Sequence, residues 1–106
     1  MTLADETIRD GAPALASEDL AGRLAELPDW ALTADGKAIR RDWRFKSFKR
    51  AAELAMLAAW QAEAANHHPD IAFGWGQASV TFTTHSAGGV TLNDLIMAAR
   101  LNRATG

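Results

Sequence analysis

The stretch from Ser47 to Asn66, S-F-K-R-A-A-E-L-A-M-L-A-A-W-Q-A-E-A-A-N, with Pro69 close behind it, constrains this chain more than any other. Alanine and leucine are strong helix formers, and Ser47 is a good N-cap. Pro69 ends the helix, because the residue before a proline is pushed out of the α region. Its polar positions, Lys49, Arg50, Glu53, Gln61 and Glu63, fall on one side when residues advance about 100° each. Met56, Leu57 and Trp60 fall on that same side. A helix apolar nearly all round is covered by more than one partner. In a chain of 106 residues the second partner reads as another subunit, giving a homodimer or homotetramer through the 47–66 helix. The plainer alternative is a helix with a few exposed apolar groups, which is common.

The remaining elements follow from spacing. Residues 1–16 show no sustained periodicity and contain Gly11 and Pro13, so they read as a loosely held arm, with 17–106 a single domain. Ser17, followed by Glu18 and Asp19, caps a short helix whose Leu20, Leu24 and Leu27 share a face. Pro28-Asp29 stops it. Trp30 opens a strand, W-A-L-T, and Asp35-Gly36 is a hairpin turn. In the return strand, Lys37 to about Phe45, residues Ile39, Trp43 and Phe45 share a side with Arg41 as the exception. Arg40, Asp42 and Arg44 take the other. After the long helix, Asp70 to about Trp75 is a strand, Gly74–Gln77 a turn, and Ala78–His85 a strand in which Val80, Phe82 and Thr84 alternate with Ser79, Thr81, Thr83 and His85. Thr91 caps a last helix, with Asp94 at the capping-box position. The order α-β-β-α-β-β-α predicts an α+β domain, a four-stranded antiparallel sheet with three helices packed on one face.

Composition closes several routes to function. With no cysteine, disulfides, thiolate nucleophiles and cysteine-ligated metal centres are excluded. A formal net charge of −2 offers no whole-chain attraction for nucleic acid or an anionic membrane. The basic run Lys37–Arg50 reads mostly as the wet face of a strand. No stretch is long and apolar enough to cross a bilayer. The N-terminus, M-T-L-A-D-E-T-I-R-D, has acidic residues where a signal peptide needs a basic one, so the expectation is a cytoplasmic protein.

What remains is the segment from Glu63 to Asp94, which holds all three histidines, His67, His68 and His85. Three readings stand at this point. The histidines are unrelated turn residues; or they bind a metal, with Asp70 and Glu63 adding oxygens; or they carry out metal-free acid/base chemistry near neutral pH, one imidazole giving a proton while another takes one. Adjacent His67 and His68 do not easily aim at one ion from regular structure.

Glu63, His67, His68 and Pro69 in the pattern E-x3-H-H-P, Trp75 eight residues after the first histidine, Thr84-His85 closing a strand, and Asp94 nine residues after His85 together resemble the pterin-4a-carbinolamine dehydratase family. Trp30 and the R-F-K-S-F-K-R-A run before the long helix add to the resemblance, which spans roughly Leu20 to Leu101. Trp75 stands where tyrosine is frequent and Ala78 where valine is.

The resemblance implies a dehydratase, a hydro-lyase that removes water from 4a-hydroxytetrahydropterin to give quinonoid dihydropterin. It would serve the recycling of the tetrahydropterin used by an aromatic amino-acid hydroxylase, with neither metal nor organic cofactor. It further implies His67 and His85 as the acid/base pair, His68 orienting the pterin, Asp94 supporting His85, and Glu63 supporting the histidine pair. Backbone groups of Thr84, Ser86 and Ala87, with Pro69, would bind the flat heterocycle, and Trp30 would close the pocket. Blander roles stand beside these: Asp94 as a helix cap, Trp30 and Trp75 as core, Glu63 as a solvated helix residue. Some relatives also act as dimerisation cofactors for a transcription factor, so the rival reading is a helix-mediated coactivator module without catalysis.

Overall fold

A computed structural model of the chain describes residues 2–105. Three α-helices and four strands follow one another as α1 (Ser17–Leu24), β1 (Ala31–Leu32), β2 (Ile39–Arg44), α2 (Phe48–Ala65), β3 (Asp70–Gly74), β4 (Gln77–Phe82) and α3 (Leu92–Thr105). The strands form one antiparallel sheet in the order β1-β2-β4-β3. This is the α+β arrangement that the spacing predicts.

Alternation decides which face of the sheet is covered. Ile39 and Trp43 of β2 and Ala78, Val80 and Phe82 of β4 are buried, while Arg40, Asp42, Arg44 and Gln77 point to solvent. Arg41 is on the covered side, where its guanidinium lies 4.4 Å from the centre of the Trp43 ring. Both α2 and α3 pack against the covered face, and Leu20 and Leu27 join the same core. The sheet-facing stripe of α2 is Ala51, Leu54, Ala55, Ala58 and Ala62, mostly methyl side chains that let the helix lie close. Its far side exposes Met56 and Trp60, the latter at 70%. Among the described residues, no helix is long and apolar enough to cross a membrane.

The turns follow their local chemistry. Gly36 adopts φ 72° in the β1–β2 hairpin, a conformation glycine enters without steric cost. Gly76 does the same between β3 and β4 at φ 73°, where an added Cβ would lie 3.0 Å from the Phe45 carbonyl oxygen. Ser47 caps α2 as expected, its Oγ accepting from the Arg50 N–H at 3.1 Å. In α1 the cap position falls on Ala16 and Ser17 is already helical. The strand expected to run to His85 stops at Phe82, because Thr84 leaves the ladder to pair with Gly89.

The arm requires a correction. Leu3 is 4% exposed and belongs to the core, and the short 3-10 turn at Leu3–Asp5 lies along α3. Arg100 donates to the carbonyls of Ala4 and Glu6 at 3.1 and 2.8 Å, and Arg103 to Asp5 Oδ1 at 2.8 Å. The Arg103 bond, helped by Thr2, pulls the Asp5 carboxyl down to about 2. Residues 3–6 are therefore strapped to the last helix, in part by backbone carbonyls, which leave no periodic trace in a sequence. Leu3→Ala is expected to lower the unfolding free energy by about 2–3 kcal/mol, read from urea denaturation. A loose arm would leave it within about 0.5 kcal/mol of the parent.

Candidate active site

The C-terminal end of α2 sets the first histidine. Asn66 adopts the left-handed conformation, φ 53° and ψ 41°. Its N–H bonds back to Glu63 and that of His67 to the Ala62 carbonyl, at 3.3 and 3.1 Å. That pair of bonds is the Schellman closure of a helix, and it locks the backbone of His67 before any side-chain contact is made. His68 and Pro69 continue out of the helix into β3.

The His67 side chain, only 13% exposed, then meets two groups. Its ring stacks on Phe82 with centroids 6.2 Å apart and planes inclined by 5°. Its Nε2 lies 2.6 Å from Asp94 Oδ1. Asp94 is fully buried, so each of its oxygens needs a donor. Oδ2 accepts from the Thr84 hydroxyl and from the Thr91 backbone N–H, both at 2.8 Å. The Thr84 and Thr91 hydroxyls are 2.8 Å apart. Because Thr84 spends its single proton on Asp94, it must accept from Thr91. The direction of the chain is thus Thr91 to Thr84 to Asp94, and the vacant position on Oδ1 takes the Nε2–H of His67. In the neutral ring Nδ1 is then the basic nitrogen.

The expectation for Asp94 is thereby corrected: it holds His67, not His85. The capping-box reading is half met, since Asp94 receives the Thr91 N–H while the Thr91 hydroxyl goes to Thr84 instead. Glu63 pairs with His68, Oε1 to Nε2 at 2.9 Å, with side chains 72% and 57% exposed, a geometry that contributes little to stability. His85 directly follows Thr84, so its backbone sits beside the Asp94 cage, and its side chain is exposed at the start of the 3-10 turn His85–Ala87.

Two further placements differ from expectation. Both backbone groups of Thr84 are spent inside the loop, its N–H on Gly89 and its carbonyl on Ala87, Gly88 and Gly89, and the Ala87 N–H is used there too. Thr84 therefore bonds outside the loop only through its hydroxyl. Trp30 is 4% exposed, meets Phe82 at 5.8 Å and Trp43 at 6.0 Å, and donates its indole N–H to Asn102 at 2.9 Å. It is core rather than a lid. The sequence motifs give Phe82 and the Thr84 and Thr91 hydroxyls no site role, although the inward alternation Val80, Phe82, Thr84 puts the first two on the covered side. Among the described residues, no three His, Cys, Asp or Glu side chains converge to hold a metal ion.

A small α+β domain that ties one imidazole to a buried carboxyl, and keeps two more imidazoles in the adjoining turns, is equipped for proton transfer. Comparison with known proteins is specific. The family described as pterin 4 alpha carbinolamine dehydratase matches residues 13–104, and the chain belongs to that family. The match begins at Pro13, so most of the arm lies outside it.

A Paracoccus denitrificans protein with the provisional name pterin-4-alpha-carbinolamine dehydratase is 70% identical over 101 residues, covering 95% of this chain and 94% of the relative. One from Rubrobacter xylanophilus, named in the same way, is 39% identical across 90% and 88%. A crystal structure from Brucella melitensis, described as a transcriptional coactivator/pterin dehydratase, superposes with a TM-score of 0.81 at 33% identity, covering 88% of this chain and 99% of that one. A pterin dehydratase-like protein identified as a RuBisCO assembly factor shares the fold, with a TM-score of 0.61, at 20% identity over 74% of this chain and 90% of its own.

Thr84→Val removes the hydroxyl that joins Thr91 to Asp94 while keeping the side chain's shape. The expected cost is about 1–3 kcal/mol of stability, measured as a shift of the urea midpoint at constant slope.

Proposed function

We propose that this chain is a 4a-hydroxytetrahydropterin dehydratase working by histidine acid/base catalysis. The observation that carries the reading is the buried Asp94 on His67 Nε2 at 2.6 Å, within a member of the dehydratase family. A carboxyl in that position fixes the tautomer and stabilises the imidazolium formed when the ring takes a proton, as the aspartate of a catalytic triad does.

Water loss needs two proton movements. The C4a–O bond breaks as the hydroxyl receives a proton and departs as water, and a ring N–H proton is taken up to leave the quinonoid dihydropterin. In our reading His67 accepts the N–H proton on Nδ1. His85, exposed and free to turn toward the ligand, protonates the leaving hydroxyl, and solvent returns both rings to their starting states. His68, tethered by Glu63, orients the heterocycle, and the Ser86 backbone with Pro69 supports its edge. The product would be reduced for reuse by an aromatic amino-acid hydroxylase, which makes such a hydroxylase the metabolic partner.

The test generates the 4a-hydroxypterin with phenylalanine hydroxylase and follows its dehydration by ultraviolet absorbance. Acceleration by the protein is expected, and His67→Ala and His85→Ala are each expected to lower it by about a hundredfold or more. Near-parent rates in both variants would remove the assignment.

The exposed side of α2 favours a second, compatible role in assembly. Met56 and Trp60, 51% and 70% exposed, are neighbours at i, i+4 and form an apolar spot on the helix. We read it as the surface through which two or four copies associate. Trp60→Glu is expected to reduce the mass measured by light scattering to that of one chain while leaving the fold intact. A module that served only as a coactivator would keep its partner binding after replacement of all three histidines.

A further inference from the structure

The arm reaches the active site from behind. Asn93 is 6% exposed, and both ends of its side-chain amide are spent on one residue of the arm. Oδ1 accepts from the Arg9 N–H at 3.0 Å, and Nδ2 donates to the Arg9 carbonyl at 2.7 Å. Further along, Ala14 pairs with Thr91 across an isolated antiparallel bridge, and the Leu15 N–H donates to the Val90 carbonyl at 2.8 Å. Ala14 also lies against Gly89, whose missing Cβ would stand 3.7 Å from the alanine methyl. The arm therefore grips the segment 89–93 at both ends. Within that grip Thr91, itself fully buried, supplies the N–H to Asp94 and the proton to the Thr84 hydroxyl. Asn93 is covalently next to Asp94.

We propose that residues 9–15 are a positioning element of the active site, holding Thr91 and Asn93 so that Asp94 presents Oδ1 to His67 in one geometry. The proposal rests on the reading of His67 as a catalytic base. Catalytic groups act only in near-productive alignment, and Asp94 takes the Thr91 N–H directly from this segment and the Thr84 hydroxyl as set by that of Thr91. Releasing Asn93 from Arg9 gives the first turn of α3 freedom that the His67 bond would feel. The anchors at Arg100 and Arg103, by contrast, hold the far part of the arm and touch nothing in the cage.

The experiment is Asn93→Ala in the full chain, read in two ways. Steady-state dehydration is expected to show kcat reduced about tenfold with KM unchanged, since no ligand contact is removed. The His67 Nε2–H resonance, observed by proton–nitrogen correlation in labelled protein, is expected to broaden and move upfield as its bond to Asp94 loosens. Arg103→Ala, which cuts an arm anchor remote from the cage, is expected to leave both readings at parent values while lowering stability. Folded Asn93→Ala with parent kcat and an unmoved His67 resonance would overturn the proposal. Should that variant be recovered only unfolded, Arg9→Pro, which removes the N–H that Asn93 Oδ1 accepts, puts the same question with Asn93 and Leu3 in place. The nuclear resonance does not depend on substrate. A protein inert toward hydroxypterin would thus sink the dehydratase reading and still decide whether the arm holds the carboxyl and the imidazole together.

Discussion

A carboxyl group taken fully out of water has to be surrounded by donors, and the donors around Asp94 come from three separate parts of the chain. Thr84 arrives from the end of β4, Thr91 from the approach to α3, and His67 from the end of α2. Left without them, the group would cost several kcal/mol or more to bury. The same few bonds that make its burial tolerable also tie the sheet, the first turn of α3 and the last turn of α2 into one junction. Phe82 closes that junction on the apolar side by stacking on the imidazole. Three elements thus share one buried group, so a change at any of its donors is felt in all of them.

The surface of α2 and the open face of the sheet divide the exterior into two kinds. The sheet's outer face is polar, and two arginines of the basic run that crosses β2 are partnered within the chain, one on each face. Arg40 pairs with Asp42 at 2.9 Å, and Arg41 stacks on Trp43 while donating to Asn102 at 2.6 Å. The helix surface has no such pairing for Met56 and Trp60, whose exposure is hydrophobic and unpaired by any group of the described residues.

Elements held by local rules were legible in the sequence. The Ser47 cap, the Asp35-Gly36 hairpin and the alternation along β2 and β4 each depend on residues within a few positions of one another. The family was legible as well, because the E-x3-H-H-P and Thr84-His85 patterns are short and specific. What escaped depends on groups far apart in sequence or on the backbone alone. The arm is fixed by carbonyls accepting from Arg100 and by the Asn93 amide, and neither produces a periodic signal. The partner of Asp94 turned on where the end of α2 lies relative to the start of α3, which no spacing along one segment encodes. Trp30 shows a third kind of miss. A large aromatic before a strand suits a pocket wall and a core equally, and only its bond to Asn102 and its burial decide between them.

The left-handed turn at Asn66 has a consequence for how this sequence can drift. Among the described residues it alone, glycines apart, holds a positive φ, and it stands directly before His67. Most side chains enter that region only at a cost, and β-branched ones are nearly excluded. Glycine and, at more cost, aspartate are therefore the substitutes the position admits. A surface turn is in this way narrowly restricted, because the direction in which the chain leaves the helix is also the direction in which the imidazole is delivered to Asp94.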